Sequence, residues 1–192
     1  RFDAPAGGVS FGFTMPTETE ISGPLKLRLH VELVGGVDAH LFVAVRKFRG
    51  GRHVCFQGSF GFGRDVVTKG WLRVAHRRGR PEPLGEGQIA PVEIEILSSS
   101  TLFRPGEVLW LDIQGHWFWK RNPLFGTFPS YYQASPPATV VLRMGARPTH
   151  ICSYRDAAQA GDLKKRHPPV LVSRISRRLF CHHFLMAAFI RV

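Results

Sequence analysis

The sequence predicts an all-β protein, a sandwich of antiparallel strands, and three observations carry that prediction. From Leu25 onward, Leu25, Leu27, Leu29, Val31 and Leu33 alternate with Lys26, Arg28, His30 and Glu32. Successive strand side chains point to opposite faces, so five aliphatics share one face and the charges share the other. A helix would spread the same five around its circumference. Short alternating runs then recur along the chain between glycine- and proline-rich turn signals. No run before residue 155 holds a helical period. A strand with one dry face needs a second layer to cover it, and a sandwich supplies that layer.

The elements follow in order. Arg1 to Gly12 is a leading segment with a turn at Gly7-Gly8, after which Phe11 and Phe13 alternate toward Pro16. The long strand of residues 20–34 ends at Gly35-Gly36. Residues 39–48 form the next strand, with Leu41, Val43 and Val45 on one face. Gly50-Gly51 is a hairpin signal, and His53 to Phe62 reads as a bulged strand or a loop. Residues 71–77 are expected to be a strand, with Leu72, Val74 and His76 opposing Trp71, Arg73 and Ala75. Past the Gly79 to Gly87 connection, Val92, Ile94 and Ile96 alternate with Glu93 and Glu95. Arg104-Pro105-Gly106 is a turn, residues 108–114 are a strand, residues 115–137 are aromatic and irregular, and residues 139–143 are a short strand.

Composition bounds the function. Hydrophobic residues make up 44% of the 192, enough for a core and too many for a disordered chain. The net charge of +12 raises the question of nucleic acid, but the charge is unevenly spread. Residues 155–192 carry eight Lys or Arg against two Asp, half of the excess, and the body interleaves its basic residues along strands. A nucleic-acid surface needs a clustered basic stripe with stacking aromatics, so no such partner is expected. Leu179 to Ile190 is interrupted by His182 and His183 and is too short for a bilayer. A membrane-touching helix at 175–190 is a weaker reading of the tail than a loosely ordered extension. Nothing after Arg1 reads as a signal peptide. Cys55, Cys152 and Cys181 form no framework, which suits reduced thiols and leaves a single disulfide open, and a cytoplasmic location is expected.

Three apparent motifs fail on their mechanics. Gly8-Val9-Ser10-Phe11-Gly12 matches G-x-S-x-G, but that motif needs a strand-to-helix turn, and Phe13, Thr14 and Pro16 follow where a helix should start. Gly85-Glu86-Gly87-Gln88-Ile89-Ala90 precedes a strand instead of a helix, so it cannot cradle a dinucleotide. None of the nine histidines has ligand spacing with a second ligand, and Cys181-His182-His183 sends its side chains in diverging directions. His76 on an apolar strand face reads as a hydrogen-bonded core histidine. No catalytic residue, metal or cofactor is expected. The candidate surface is His116-Trp117-Phe118-Trp119, with Tyr131-Tyr132 nearby: a sugar-stacking platform or an apolar face that docks on another domain. Consecutive residues must face different ways, so at least one of these rings is expected to be exposed.

Five phrases line up in order: Glu20-Ile21-Ser22-Gly23-Pro24, Asp38-Ala39-His40-Leu41-Phe42-Val43, residues 70–77 (Gly-Trp-Leu-Arg-Val-Ala-His-Arg), Val92-Glu93-Ile94-Glu95-Ile96, and Phe103-Arg104-Pro105-Gly106-Glu107. Together they resemble the C-terminal domain of the X-Pro dipeptidyl-peptidase and cocaine-esterase (CocE/NonD) family of serine hydrolases, over roughly residues 1–150. The resemblance implies a jelly-roll sandwich of the galactose-binding-like type that follows an α/β-hydrolase domain holding a Ser-His-Asp triad. No triad residue carries over to this chain. The expected organisation is a jelly-roll domain at 1–154 and an unmatched basic tail at 155–192. The expected role is a non-catalytic module that packs on the hydrolase domain and helps wall its pocket. The partner is thus that domain in cis, with a second copy of the chain left open, and His116, Trp117, Phe118 and Trp119 as the docking or pocket-wall surface. An independent carbohydrate-binding module is the alternative. A missing initiator Met and a missing hydrolase domain lead to the further expectation of a fragment or mis-spliced product.

Overall fold

The computed structural model describes residues 1–58, 64–119 and 135–143, and the backbone of 150–153. Ten strands form among them: β1 (Phe2–Asp3), β2 (Gly8–Thr14), β3 (Thr19–Val34), β4 (His40–Arg49), β5 (Arg52–Val54), β6 (Thr68–Arg73), β7 (Ile89–Phe103), β8 (Val108–Gln114), β9 (Thr139–Leu142) and β10 (His150–Ser153). The described residues contain no α-helix, only a 3-10 turn at Val74–His76. The order β1-β9-β3-β7 makes one layer and β6-β4-β8-β2 the other, with β10 added along β3 and β5 folded back on β4. That is the strand order of an eight-stranded jelly roll. The tail from residue 154 onward lies outside the described residues.

The two layers are one continuous sheet. They join where β6 meets β7 at a single pair, Gly70 opposite Ile96. A Cβ on Gly70 would stand 2.1 Å from the Glu95 carbonyl oxygen, so only glycine lets the backbones come this close. Immediately beyond, the β3–β7 register passes from Leu25 opposite Ile96 to Gly23 opposite Ser99. Two residues of β7, Leu97 and Ser98, therefore face Pro24 alone. This bulge bends β7 away from the first layer, and Pro24 has no N–H to leave unpaired in the gap.

The five aliphatics of β3 are buried as the alternation predicts, and they meet Val92, Ile94 and Ile96 of β7. Leu41, Val43 and Val45 of β4 and Leu109, Leu111 and Ile113 of β8 close the core from the other layer. Burying each large side chain is worth about 1.5–3 kcal/mol before ordering entropy is subtracted. The outer face of β3 is charged: Glu93 accepts from Lys26 at 3.0 Å and from Arg28 at 2.8 Å. The hairpin at Gly50-Gly51 joins β4 to β5 as expected.

One element differs from the sequence reading. The strand expected at 71–77 runs from Thr68 to Arg73 and then turns. The cause lies elsewhere in the chain. Asp38 is buried at the start of β4, and its Oδ1 accepts from the amides of Ala39 (2.9 Å) and Ala75 (2.8 Å), while Oδ2 accepts from Arg73 Nε at 2.5 Å. This grip draws the chain out of the ladder. His76, expected on an apolar strand face, is exposed on the turn instead.

A second buried carboxylate fixes the β7–β8 turn. Arg104-Pro105-Gly106-Glu107 is closed by Glu107 N–H on the Arg104 carbonyl at 3.0 Å, with Gly106 at φ 82°, the left-handed value this turn demands. Glu107 is 2% exposed. It accepts from Lys47 Nζ at 2.6 Å, Arg49 Nε at 2.5 Å and the Arg104 amide at 2.8 Å. Burial pushes its carboxyl pKa up, but the Lys47, Arg104 and Arg49 hydrogen bonds overcome this and hold it down at about 2.

Two stability predictions follow from these contacts. Leu29→Ala should cost about 2–5 kcal/mol in chemical denaturation, whereas Arg28→Ala, half-exposed on the charged face, should cost under about 1 kcal/mol. Similar losses would mean that the faces are misassigned. Because folding lowers the Glu107 pKa from the ordinary 4.5, its contribution is fully present above about pH 4.5 and is lost as pH falls toward 2. Denaturation midpoints measured from pH 5 to 3 should fall, and Glu107→Gln should flatten that slope.

Candidate functional site

β4 is apolar on both faces because both are covered. Leu41, Val43 and Val45 point into the core, while Phe42 and Ala44 are buried on the outer face of the second layer. Register places Trp71 and Lys69 of β6 beside Phe42 and Ala44, and Gln114, Asp112 and Trp110 of β8 on their other side. The segment following β8 turns back over this face. His116 holds the turn: its backbone carbonyl accepts from Gln114 Nε2, and its Nδ1 donates to the Trp117 carbonyl, both at 2.9 Å. This ring is therefore committed to shaping the loop.

Trp117 then lies at the centre of an aromatic cluster. Its ring meets Phe42 at 5.5 Å and Trp71 at 5.8 Å in edge-to-face geometry, and contacts Phe118 at 5.3 Å and Trp119 at 5.9 Å. Such pairs add about 0.5–1.5 kcal/mol each beyond area burial. All three rings of 117–119 are half-buried, so none is exposed as the sequence reading expected. The exposed ring of the face is Trp71, at 46%. Cations are threaded through the cluster: Lys69 Nζ stands 4.9 Å from the Trp119 ring centre, and the Arg46 guanidinium 5.9 Å from that of Phe118.

A polar network lies beside the rings. Asp112 accepts from Ser10 Oγ at 2.6 Å, Trp110 Nε1 at 2.9 Å and Arg46 Nε at 2.6 Å. Ser10 sits mid-strand in β2 with this carboxylate as its partner, not on a nucleophile elbow. Near the β4–β5 hairpin, Cys55 is exposed with its Sγ 3.5 Å from His53 Nδ1, and burial together with Arg46 lowers the His53 pKa. No group of three metal-ligating side chains exists among the described residues, and none of their helices is long and apolar enough to cross a membrane. Tyr131 and Tyr132 fall outside the described residues.

The structure thus brings Trp117, Phe118 and Trp119 together and adds Phe42, Trp71, Lys69 and Arg46, which sequence reasoning did not attach to them. The available signal was the outward alternation Lys69, Trp71, Arg73 on β6, continued across β4 by Phe42 and Arg46.

A family model described as the X-Pro dipeptidyl-peptidase C-terminal non-catalytic domain matches residues 3–151. Two crystal structures of a CocE/NonD family hydrolase from Staphylococcus aureus are similar at 26% identity, with TM-scores of 0.64 and 0.67. They cover 75% and 78% of this chain, but the chain spans only 30% and 31% of theirs. An aminopeptidase from a marine sediment Thaumarchaeota archaeon shares the fold at 19% identity and a TM-score of 0.52, over 75% of this chain and 25% of its own. No curated protein matches the chain. The phrases that carry the resemblance are also those that fix the fold: Asp38 grips Arg73 and Ala75, and Glu107 closes the turn after Phe103. On the family match and this architecture, the chain belongs to the family of X-Pro dipeptidyl-peptidase C-terminal non-catalytic domains.

Proposed function

We propose that this domain works beside an α/β-hydrolase catalytic domain of the CocE/NonD and X-Pro dipeptidyl-peptidase kind, packing on it in cis and helping to wall its substrate pocket. The family match over residues 3–151 is the observation that carries this reading. Chemistry within the chain agrees with a supporting role. Ser10 lies mid-strand in β2 and donates to the Asp112 carboxylate, not at the strand-to-helix turn on which a G-x-S-x-G nucleophile works.

The outer face of the second layer is the docking surface in this proposal. Trp71 stands exposed on β6, propped by Trp117 and flanked by Lys69 and Arg73. A rigid aromatic anchor with neighbouring cations is the composition in which interface energy concentrates. Trp117 packs on that anchor, Phe118 and Trp119 pack on Trp117, and His116 to Trp119 form part of the same surface. The rings do not favour the carbohydrate-binding alternative. Trp117 meets Phe118 at 47° and Trp119 at 58°, and Phe118 meets Trp119 at 80°, so the loop offers no shared flat platform.

The purified chain should not turn over X-Pro anilide or short-chain ester reporters, and turnover abolished by Ser10→Ala would overturn the non-catalytic assignment. In a binding assay with a separately produced α/β-hydrolase domain, Trp71→Ser should weaken association about tenfold or more, the loss expected of an anchor residue. Its melting temperature should change less than that of Trp117→Ala, which removes the centre of the cluster. Unchanged association in Trp71→Ser would place docking on another face, and saturable binding to a glycan array would restore the alternative.

A further inference from the structure

We propose that β2 is a dimerisation edge. Two copies of the chain pair their β2 strands antiparallel about a two-fold axis at Phe11, so that the second layer of one copy continues into that of the other. β2 stands last in the strand order and, among the described strands, pairs with β8 alone. The phase of that pairing is fixed at both of its ends. Beyond one end, the Met15 N–H donates to the Glu107 carbonyl at 2.8 Å, and the Met15 carbonyl accepts from the Gly106 amide at 2.9 Å. Beyond the other, the Gly7 carbonyl accepts from the Gly115 amide at 3.4 Å. Strand residues turn their backbone groups to alternate sides, so Val9, Phe11 and Phe13 bond to β8. Gly8, Ser10, Gly12 and Thr14 hold their N–H and carbonyl groups out along the opposite edge, where these bond to no described residue.

Nothing in β2 blunts this edge. Open edges are commonly protected by lysine, proline, a bulge or a very short strand. The far end of the strand order, β1, is two residues long, and β9 and β10 fill the free side of β3. β2 is seven residues long, Gly-Val-Ser-Phe-Gly-Phe-Thr, with no charge, no proline and no register shift against β8. The strand is also its own complement. About an axis at Phe11, Gly8 faces Thr14 and Ser10 faces Gly12 of the second copy, and each pair exchanges both backbone bonds. Every open group of the four residues then has a partner. Moving the axis to Ser10 puts Thr14 opposite Ala6, and moving it to Gly12 puts Gly8 opposite Pro16, outside the strand in both cases. Side chains agree with the register. On the inner face Phe11 meets Phe11 and Val9 meets Phe13 in the close, non-hydrogen-bonded pairs. All three are half-buried at the margin of the core, and the second copy covers surface that they leave in solvent. On the outer face only small residues oppose one another, and no charge meets a like charge. A two-fold interface must complement itself, and this edge does, so the occupant is a second copy of the chain. β2 lies at the opposite end of its layer from β6 and Trp71, so the pairing does not depend on docking to a hydrolase domain.

The test is analytical ultracentrifugation of the full chain, with amide hydrogen exchange followed over a dilution series. The unaltered chain should be a dimer that dissociates on dilution, and the amides of Ser10, Gly12 and Thr14 should lose protection in step. Ser10→Pro removes an N–H that points away from β8, so it should spare the fold. It should raise the dimer dissociation constant about tenfold or more, because the facing carbonyl of the second copy loses its donor. Ser10→Ala, which loses only the side-chain bond to Asp112, should leave the dimer intact, as should Trp71→Ser. A chain that stays monomeric at millimolar concentration, or a dimer whose β2 amides stay unprotected, would overturn the proposal. So would a dimer unaffected by Ser10→Pro or abolished by Trp71→Ser. Protection that persists in the monomer would overturn it too, by placing another segment of the same chain on this edge. If Ser10→Pro does not fold, exchange in the unaltered chain decides: protection lost with dissociation supports the edge, and any other pattern overturns it.

Discussion

The approach of β6 to β7 at Gly70 and Ile96 is the constraint on which the rest of the molecule depends. Without it the two layers would be separate sheets with four open edges, each a template for mispairing. With it, one ribbon of strands folds over its own core. The geometry leaves no room for a side chain at Gly70, and it needs β7 to change direction at once, which the bulge at Leu97-Ser98 provides. Side chains then bridge the diverging strands: Thr68 Oγ1 donates to the Leu97 carbonyl at 2.6 Å, and Lys47 Nζ donates to that of Leu102 at 2.7 Å.

The structure sorts its buried carboxylates to the ends of strands. Asp38 lies at the start of β4, Glu107 at the start of β8, and Glu32, paired with Arg143, near the end of β3. At the first two places backbone amides and basic side chains are both within reach, so Asp38 and Glu107 each gain the several hydrogen bonds that a buried charge requires. The middle of the sandwich stays aliphatic. Specific polar contacts therefore govern where strands stop, and burial governs where they run.

That division explains what was legible in the sequence. Period-two alternation marks β3 and β7 because each has one wet and one dry face, and Gly50-Gly51 marks its hairpin by local conformation alone. The jelly-roll order was legible only through the family resemblance, because antiparallel patterning does not say which strand lies beside which. The end of β6 was not legible, since the carboxylate that ends it belongs to Asp38, far away in the chain. The aromatic face was partly legible. Trp117, Phe118 and Trp119 stand out as a run, but Phe42 looks like one more core residue until the loop is seen to cover the outer side of β4. Local spacing cannot reveal a cover that comes from a segment so distant in the chain.

The grip of Asp38 also has a consequence in time. Its Oδ1 holds the amide protons of Ala39 and Ala75 together, one at the edge of β4 and one in the turn beyond β6. Neither proton can meet solvent while that carboxylate keeps its place, and both are released when it moves. In hydrogen exchange the two amides therefore belong to one opening event, although the chain separates them by an entire hairpin and a loop. A side chain here extends the pairing of β4 with β6 past its last rung, where the Val74 amide already donates to the Ala39 carbonyl.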